Sequence, residues 1–244
     1  MNRENNSVCE PMNINRNTLP LFAMAMLLLL GWDTLAKAQE YKVVRDLHLW
    51  TGINIEKEFG KDWTLFVAEE VRFKHDISSL NNYLTETGLR YRINKNFALE
   101  GQYRITRDQK KDNSFETLTR YALDLRYKGK IDFLTLMYRL RYQKEVSGWN
   151  LADPGIAYEK YVRNRLTVRY NDLIYLKPYV SAEVFQLFEP NQPGMFHYIR
   201  VMGGIRYRVP RIGEFNLAYG FNREFKSPNP AMIYVVKVNY TYTF

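Results

Sequence analysis

The segment "FKHDISSL", Phe73 to Leu80, gathers His75, Asp76, Ser78 and Ser79 within five residues. These are the residue types of a hydrolytic site: a hydroxyl nucleophile, a base to take its proton and an acid to orient the base. In a small membrane barrel the corresponding chemistry would be lipid-ester hydrolysis. The competing reading is a polar turn, since Asp and Ser favour turns for their own backbone hydrogen bonds, and catalytic partners are normally fixed on strands. The other two histidines, His48 and His197, are far away in sequence. Asp108, Asp112 and Asn113 in "RDQKKDNSF" offer oxygen ligands, but Lys110 and Lys111 between them oppose calcium. No carboxylate and histidine spacing marks a transition-metal site. No catalytic residue, metal site or cofactor is assigned.

A larger chemical population is arginine at alternate positions. Between Leu134 and Gln143, Leu134, Leu136, Tyr138, Leu140 and Tyr142 alternate with Thr135, Arg139, Arg141 and Gln143; between Ile199 and Arg208, Ile199, Val201, Ile205 and Tyr207 alternate with Arg200, Met202, Gly204, Arg206 and Arg208. Extended to the other segments, this parity gives one face Glu70, Arg72, Arg90, Arg92, Glu100 and Arg104. It continues with Arg120, Asp124, Arg126, Arg139, Arg141, Arg163, Arg165, Arg169, Glu183, Arg206 and Arg208. If that face lines a lumen, an excess of arginine favours an anionic solute. The alternative is a mutually paired Arg and Glu network that fills a narrow barrel.

Period-two alternation runs through nearly all of the chain after Gln39, with no helical period of 3.6. Strands are expected at 46–59, 63–75, 83–93, 97–107, 116–128, 131–145, 158–171, 175–189, 196–209, 214–225 and 231–244. Most match or exceed the 9–11 residues needed to cross a bilayer at a tilt. Gly60 to Asp62, Asn94 to Asn96, Gly129 with Lys130, and Pro210 to Gly213 read as tight turns, whereas 76–82, 108–115, 146–157 and 190–195 are longer and polar. Short periplasmic turns alternating with longer extracellular loops are the pattern of outer-membrane barrels. Gly203 with Gly204 reads as a bend or close approach within a strand.

The 244 residues are 46% hydrophobic and 25% charged, with 19 Tyr and 14 Phe. That excludes a disordered chain and does not fit a helical membrane protein. "LPLFAMAMLLLLGW", Leu19 to Trp32, is too short for a spanning helix and has the length of a signal-peptide core. Arg16 precedes it, and Ala36 and Ala38 suit cleavage before Gln39, so residues 1–38 read as an export signal, with Met12 an alternative start. Cys9, the single cysteine, would leave with it. So would three residues of each charge sign, leaving the net charge at +9. Nucleic acid is not the expected partner, because no lysine-rich run or phosphate-binding glycine loop occurs.

Aromatics cluster beside the short turns: Phe59 and Trp63, Tyr91 and Phe97, Tyr127 and Phe133, Tyr170 and Tyr175, Tyr207 and Phe215, then Tyr240, Tyr242 and Phe244. They would form a girdle at the periplasmic interface. Eleven strands would, however, start the first strand outside the cell, while an exported N-terminus lies in the periplasm. Either Gln39 to Arg45 threads the lumen or one strand is miscounted. The expectation is a closed antiparallel transmembrane β-barrel of 10 to 12 strands, with 12 favoured because bacterial single-chain barrels have even counts. Residues 39–46 would be a lead-in and 47–244 the barrel.

The segments "LWTGINIEKEFGKDWTLFVAEEVRF", "GLRYRINKNFALEGQYR", "PYVSAEVF" and the terminal "YTYTF", with the export signal, resemble an uncharacterised outer-membrane barrel family, domain of unknown function 2490. The resemblance implies the fold and brings no catalytic residues. The closing "VNYTYTF", with Tyr240, Tyr242 and Phe244, is similar to the C-terminal signal read by barrel-insertion machinery. Expected partners are therefore outer-membrane lipid, that machinery and a small anionic solute. The expected location is the outer membrane of a Gram-negative cell, and the expected role is structural or passive passage of the solute. The alternatives are a lipid-modifying hydrolase and a soluble periplasmic barrel that binds a hydrophobic ligand.

Overall fold

Each long alternating segment becomes a strand, because β-branched and aromatic side chains at every second position suit a pleated surface buried on one face only. The computed structural model describes residues 43–110, 112–148, 158–189, 192–225 and 230–244. Residues 1–38 and Gln39 to Lys42 lie outside the described residues.

Eleven strands are present: β1 Val44–Phe59, β2 Trp63–Lys74, β3 Ser79–Arg92, β4 Phe97–Gln109, β5 Phe115–Ile131, β6 Leu134–Ser147, β7 Tyr158–Tyr170, β8 Leu176–Glu189, β9 Gln192–Val209, β10 Gly213–Glu224 and β11 Ala231–Thr243. Consecutive strands pair antiparallel, and β1 closes the barrel against β11. That last pair is parallel, from Val44 opposite Ala231 to Glu56 opposite Thr243. The closed barrel is as expected, but among the described residues the count is eleven rather than the favoured twelve, and one seam is parallel. Facing does not depend on strand direction: His48, Trp50 and Asn54 turn inward beside Val235, Lys237 and Thr241, so a parallel ladder closes the wall with no register fault. β1 begins at Val44, so the last part of the expected lead-in joins the wall.

The two rims differ. At one rim the connections are Gly60 to Asp62, 93–96, 132–133, 171–175 and 210–212; at the other they are 75–78, 110–114, 148–157, 190–191 and 225–230. The turn expected at Gly129 and Lys130 lies further on, because both residues pair across the β5–β6 ladder, with Leu136 and Thr135. Asp132 turns the chain instead at φ 51°, a left-handed position that Asp tolerates better than most residues. Several polar connections are shorter than expected because the strands continue into them. The β8–β9 link is only residues 190–191.

Outward positions between the rims carry exposed Ile53, Val67, Leu99, Leu123, Leu140, Leu166, Val180, Leu217 and Val238. Inward positions are mostly buried and largely polar or charged. Gly204 sits in a close approach: a Cβ there would come 2.7 Å from the Ala218 Cβ and 2.9 Å from the Tyr179 ring, whereas Gly203 has open space. In the same way Gly88 lies beneath the inward Phe66 ring, 2.5 Å from where its Cβ would be.

Candidate functional site: the charged barrel interior

Five carboxylates of the inner face, Glu70, Glu86, Glu100, Asp124 and Glu183, each gather two or three cations. Glu70 accepts from Arg72 at 2.7 Å and from Lys237 at 2.9 Å, which spans β1 to join β11 to β2. Glu86 holds Arg104 at 2.6 Å and Arg120 at 3.0 Å. Glu100 takes Arg90 at 2.6 Å and Arg126 at 2.5 Å, with Gln102 also donating to it. Asp124 receives Arg141 through two bonds of 2.6 and 2.7 Å, and Arg126 at 3.3 Å. Glu183 binds Arg139, with Arg163 at 2.9 Å and Arg200 at 3.8 Å. The side chains of Glu100 and Asp124 are fully shielded from solvent. Buried charge of this kind survives only when paired and hydrogen-bonded.

The structure therefore brings together most of the residues picked out by parity: Arg72, Arg90, Glu100, Arg104, Arg120, Asp124, Arg126, Arg139, Arg141, Arg163 and Glu183. Arg206 is also engaged, with Glu214 at 3.1 Å near the short-turn rim. Arg92 and Arg165 face inward but touch no carboxylate within 4 Å among the described residues; Arg165 reaches only the Ser181 hydroxyl, at 3.5 Å. Sequence reasoning missed Glu86 and Lys237 as members of this network, and placed Arg200 on the arginine face without adding it to the lumen set. Glu86 shares the parity of Leu84, Gly88 and Arg90, and Lys237 that of Asn239 and Thr241, so alternation alone could have found both.

Sequence reasoning also missed the inward aromatics. Trp50 lies between the Arg72 and Arg200 guanidiniums, 4.3 and 4.8 Å from its ring centroid. Phe185 stacks on Tyr198 at 3.8 Å and is covered by Arg163 at 4.2 Å. With Tyr161 and Leu187 these rings form an apolar layer toward the long-loop rim. On the β7 to β9 side, the interior thus passes from this apolar cluster through a belt of ion pairs to a short-turn mouth rich in arginine and lysine. A cavity of about 510 Å³ lies within the belt.

Residues 47–232 match the family described as protein of unknown function DUF2490. The chain belongs to that family. No curated protein and no solved structure matches it. Membership of DUF2490 fits the fold and assigns no chemistry, so any function must be argued from the side chains.

Outside the barrel, Tyr242 and Phe244 are exposed at the short-turn rim and Tyr240 is half-buried. Tyr240 packs on Phe215 at 5.0 Å and Tyr242 on Phe244 at 6.0 Å. Phe244 is tied to β1 through its amide to the Glu56 carbonyl (3.0 Å) and its carbonyl to the Glu58 amide (3.2 Å). Trp63 with Tyr91, Phe97 with Tyr127, and Phe133 with Tyr170 continue the rim as inter-strand pairs 4.6 to 5.6 Å apart. A further pair, Tyr83 with Phe115, lies toward the opposite rim, and Tyr103 with Tyr121 lies midway along the wall.

In the turn at His75, the Nδ1 atom is 2.8 Å from Ser79 Oγ. Neither Asp76 nor Asp46 reaches the His75 ring; instead Asp46 accepts the backbone N–H groups of His75 (3.1 Å) and Asp76 (2.9 Å). His75, Asp76 and Ile77 all have positive φ, and this carboxylate clamp holds them there. Near the end of β4, Asp108 accepts from Asn82 at 3.1 Å, and in the loop that follows Asp112 accepts from Ser114. The Ser114 hydroxyl and amide hold the Asp112 carboxyl below the usual carboxylate range.

Proposed function

We propose that the protein is an integral β-barrel of the Gram-negative outer membrane whose bore is narrowed by its own ion-paired side chains around a cavity of about 510 Å³, so that its role is structural rather than that of a general diffusion pore. The observation that carries this reading is the inverted distribution of polarity. Outward positions form a continuous apolar band edged by aromatic pairs, while the interior holds buried carboxylates, each shared by two or three cations. A soluble barrel that carries a hydrophobic ligand would turn its apolar face inward. An apolar band of this extent on a monomer marks a membrane or partner surface, and terminal pairing of Phe244 suits the barrel-insertion signal.

Fractionation tests the location: the mature chain should need detergent for release, and recovery in the soluble fraction would end the membrane reading. Planar-bilayer recording tests the bore. Stable, anion-selective current well above background would replace the filled barrel with passive passage of a small anion, the reading that the arginine excess favours. The contact of His75 with Ser79 keeps one hydrolytic test in view. Loss of lipid hydrolysis in a His75→Ala variant would establish an enzyme, and equal activity in both proteins would remove the candidate.

A further inference from the structure

At the short-turn mouth a second cavity, of about 640 Å³, opens beside the turn at 93–96. Half of its lining residues are arginine or lysine and none carries a carboxylate. This differs from the central belt, where Arg72, Arg104, Arg120, Arg141 and Arg163 each have an acid beside them. Arg92, Lys95, Lys128 and Arg165 line this cavity, and none of them has a carboxylate within 4 Å among the described residues. Two further arginines of the lining, Arg126 and Arg139, are paired through their terminal nitrogens yet keep a buried Nε with no hydrogen-bond partner. Buried polar groups are nearly always satisfied, so these two arginines retain donor capacity that their own carboxylates do not use.

We propose that this mouth binds a molecule bearing two phosphate groups. Arg92, Lys95 and Lys128, with Arg165 contributing part of its charge because it stands opposite Glu183 in the β7–β8 ladder, match two phosphates, each carrying roughly −1.5 to −2 at pH 7, whereas a monocarboxylate would leave most of that charge unopposed. Guanidinium groups present planar forks that suit phosphate oxygens. The cavity volume lies in the range typical of small-molecule sites, about 300–1,000 Å³. The inference goes beyond the structural reading above and holds whether or not the barrel conducts.

Calorimetric titration of the full-length protein in detergent with inorganic pyrophosphate, in a phosphate-free buffer, tests it. Saturable binding of one pyrophosphate per barrel is expected. Arg92 and Lys128 are exposed, so an Arg92→Gln, Lys128→Gln double variant should still fold, checked by the gel-mobility difference between heated and unheated samples. It should bind on the order of 100-fold more weakly, the loss expected for two charge-assisted contacts. Lys110→Gln, at the opposite rim, should bind as the unaltered protein does. Absence of saturable binding, an unchanged affinity in the double variant, or citrate binding as tightly as pyrophosphate would each overturn the proposal. Displacement of pyrophosphate by a short-chain diphosphatidylglycerol would assign the phosphates to a lipid headgroup, and retention would assign them to a soluble diphosphate.

Discussion

Replacing Glu183 with glutamine probes whether the interior belt is sealed or wet. Glu183 is 2% exposed and is the shared acceptor of Arg139, Arg163 and Arg200 from three different strands. Glutamine keeps the shape and removes the charge, which leaves three guanidiniums in a region with little solvent. Removing one partner of a buried ion pair costs about 3–5 kcal/mol, because the remaining charge stays buried without compensation. In an exposed setting the same change is worth about 0–1 kcal/mol. Lys110 with Glu116, at 3.3 Å and with side chains 52% and 35% exposed, supplies that comparison within the same molecule. Urea unfolding of the barrel from lipid vesicles, followed by tryptophan fluorescence and by heat-dependent gel mobility, measures both. The expected result is a loss of about 3–5 kcal/mol for Glu183→Gln and less than about 1 kcal/mol for Glu116→Gln. Equal, small losses for the two would show that water screens the belt, and would refute the argument that the barrel is filled.

Other positions test separate parts of the structure by the same titration. Gly88→Val should destabilise by about 1–3 kcal/mol through overpacking against Phe66, while Gly101→Ala, which meets nothing within 4 Å, should stay near the parent. Leu123→Arg places a charge at an outward position that is 57% exposed; stability in vesicles should fall by about 2–4 kcal/mol if Leu123 faces the bilayer midplane, and no loss would count against a lipid-facing band. Ile77→Gly should stabilise by about 1 kcal/mol, because a β-branched residue at φ 68° carries left-handed strain that glycine avoids. Should that variant instead be less stable, the turn owes more to the Ile77 side chain than to the Asp46 clamp.

Much of the wall was legible in the sequence because the period of two is enforced at every residue: a one-position slip would exchange the arginine face for the leucine face. Strand edges were less legible. Ser79 to Asn82 and Gln192 to Met195 read as polar loop yet extend β3 and β9, because a strand beyond an apolar band can carry polar residues on both sides. Which carboxylate meets which arginine was not legible at all. Glu86 binds Arg120 two strands away, and Glu70 binds Lys237 across β1; such partners depend on register and on the parallel seam. Trp50, Phe66 and Phe185 broke the rule that apolar residues face outward, since their faces receive cations or cover a glycine, roles that carry no signal in a single strand.

The parallel seam sets the net direction of the described chain from Val44 to Phe244. In a wall of antiparallel hairpins each crossing is undone by the next, and an even count returns the polypeptide to the side from which it set out. With β1 and β11 running the same way, ten reversals leave one crossing uncancelled, so the wall carries the polypeptide across once in net. Val44 and Phe244 therefore emerge at opposite rims, and if the barrel spans a membrane as proposed, reporters at these two positions would be reached by a membrane-impermeant reagent from opposite sides.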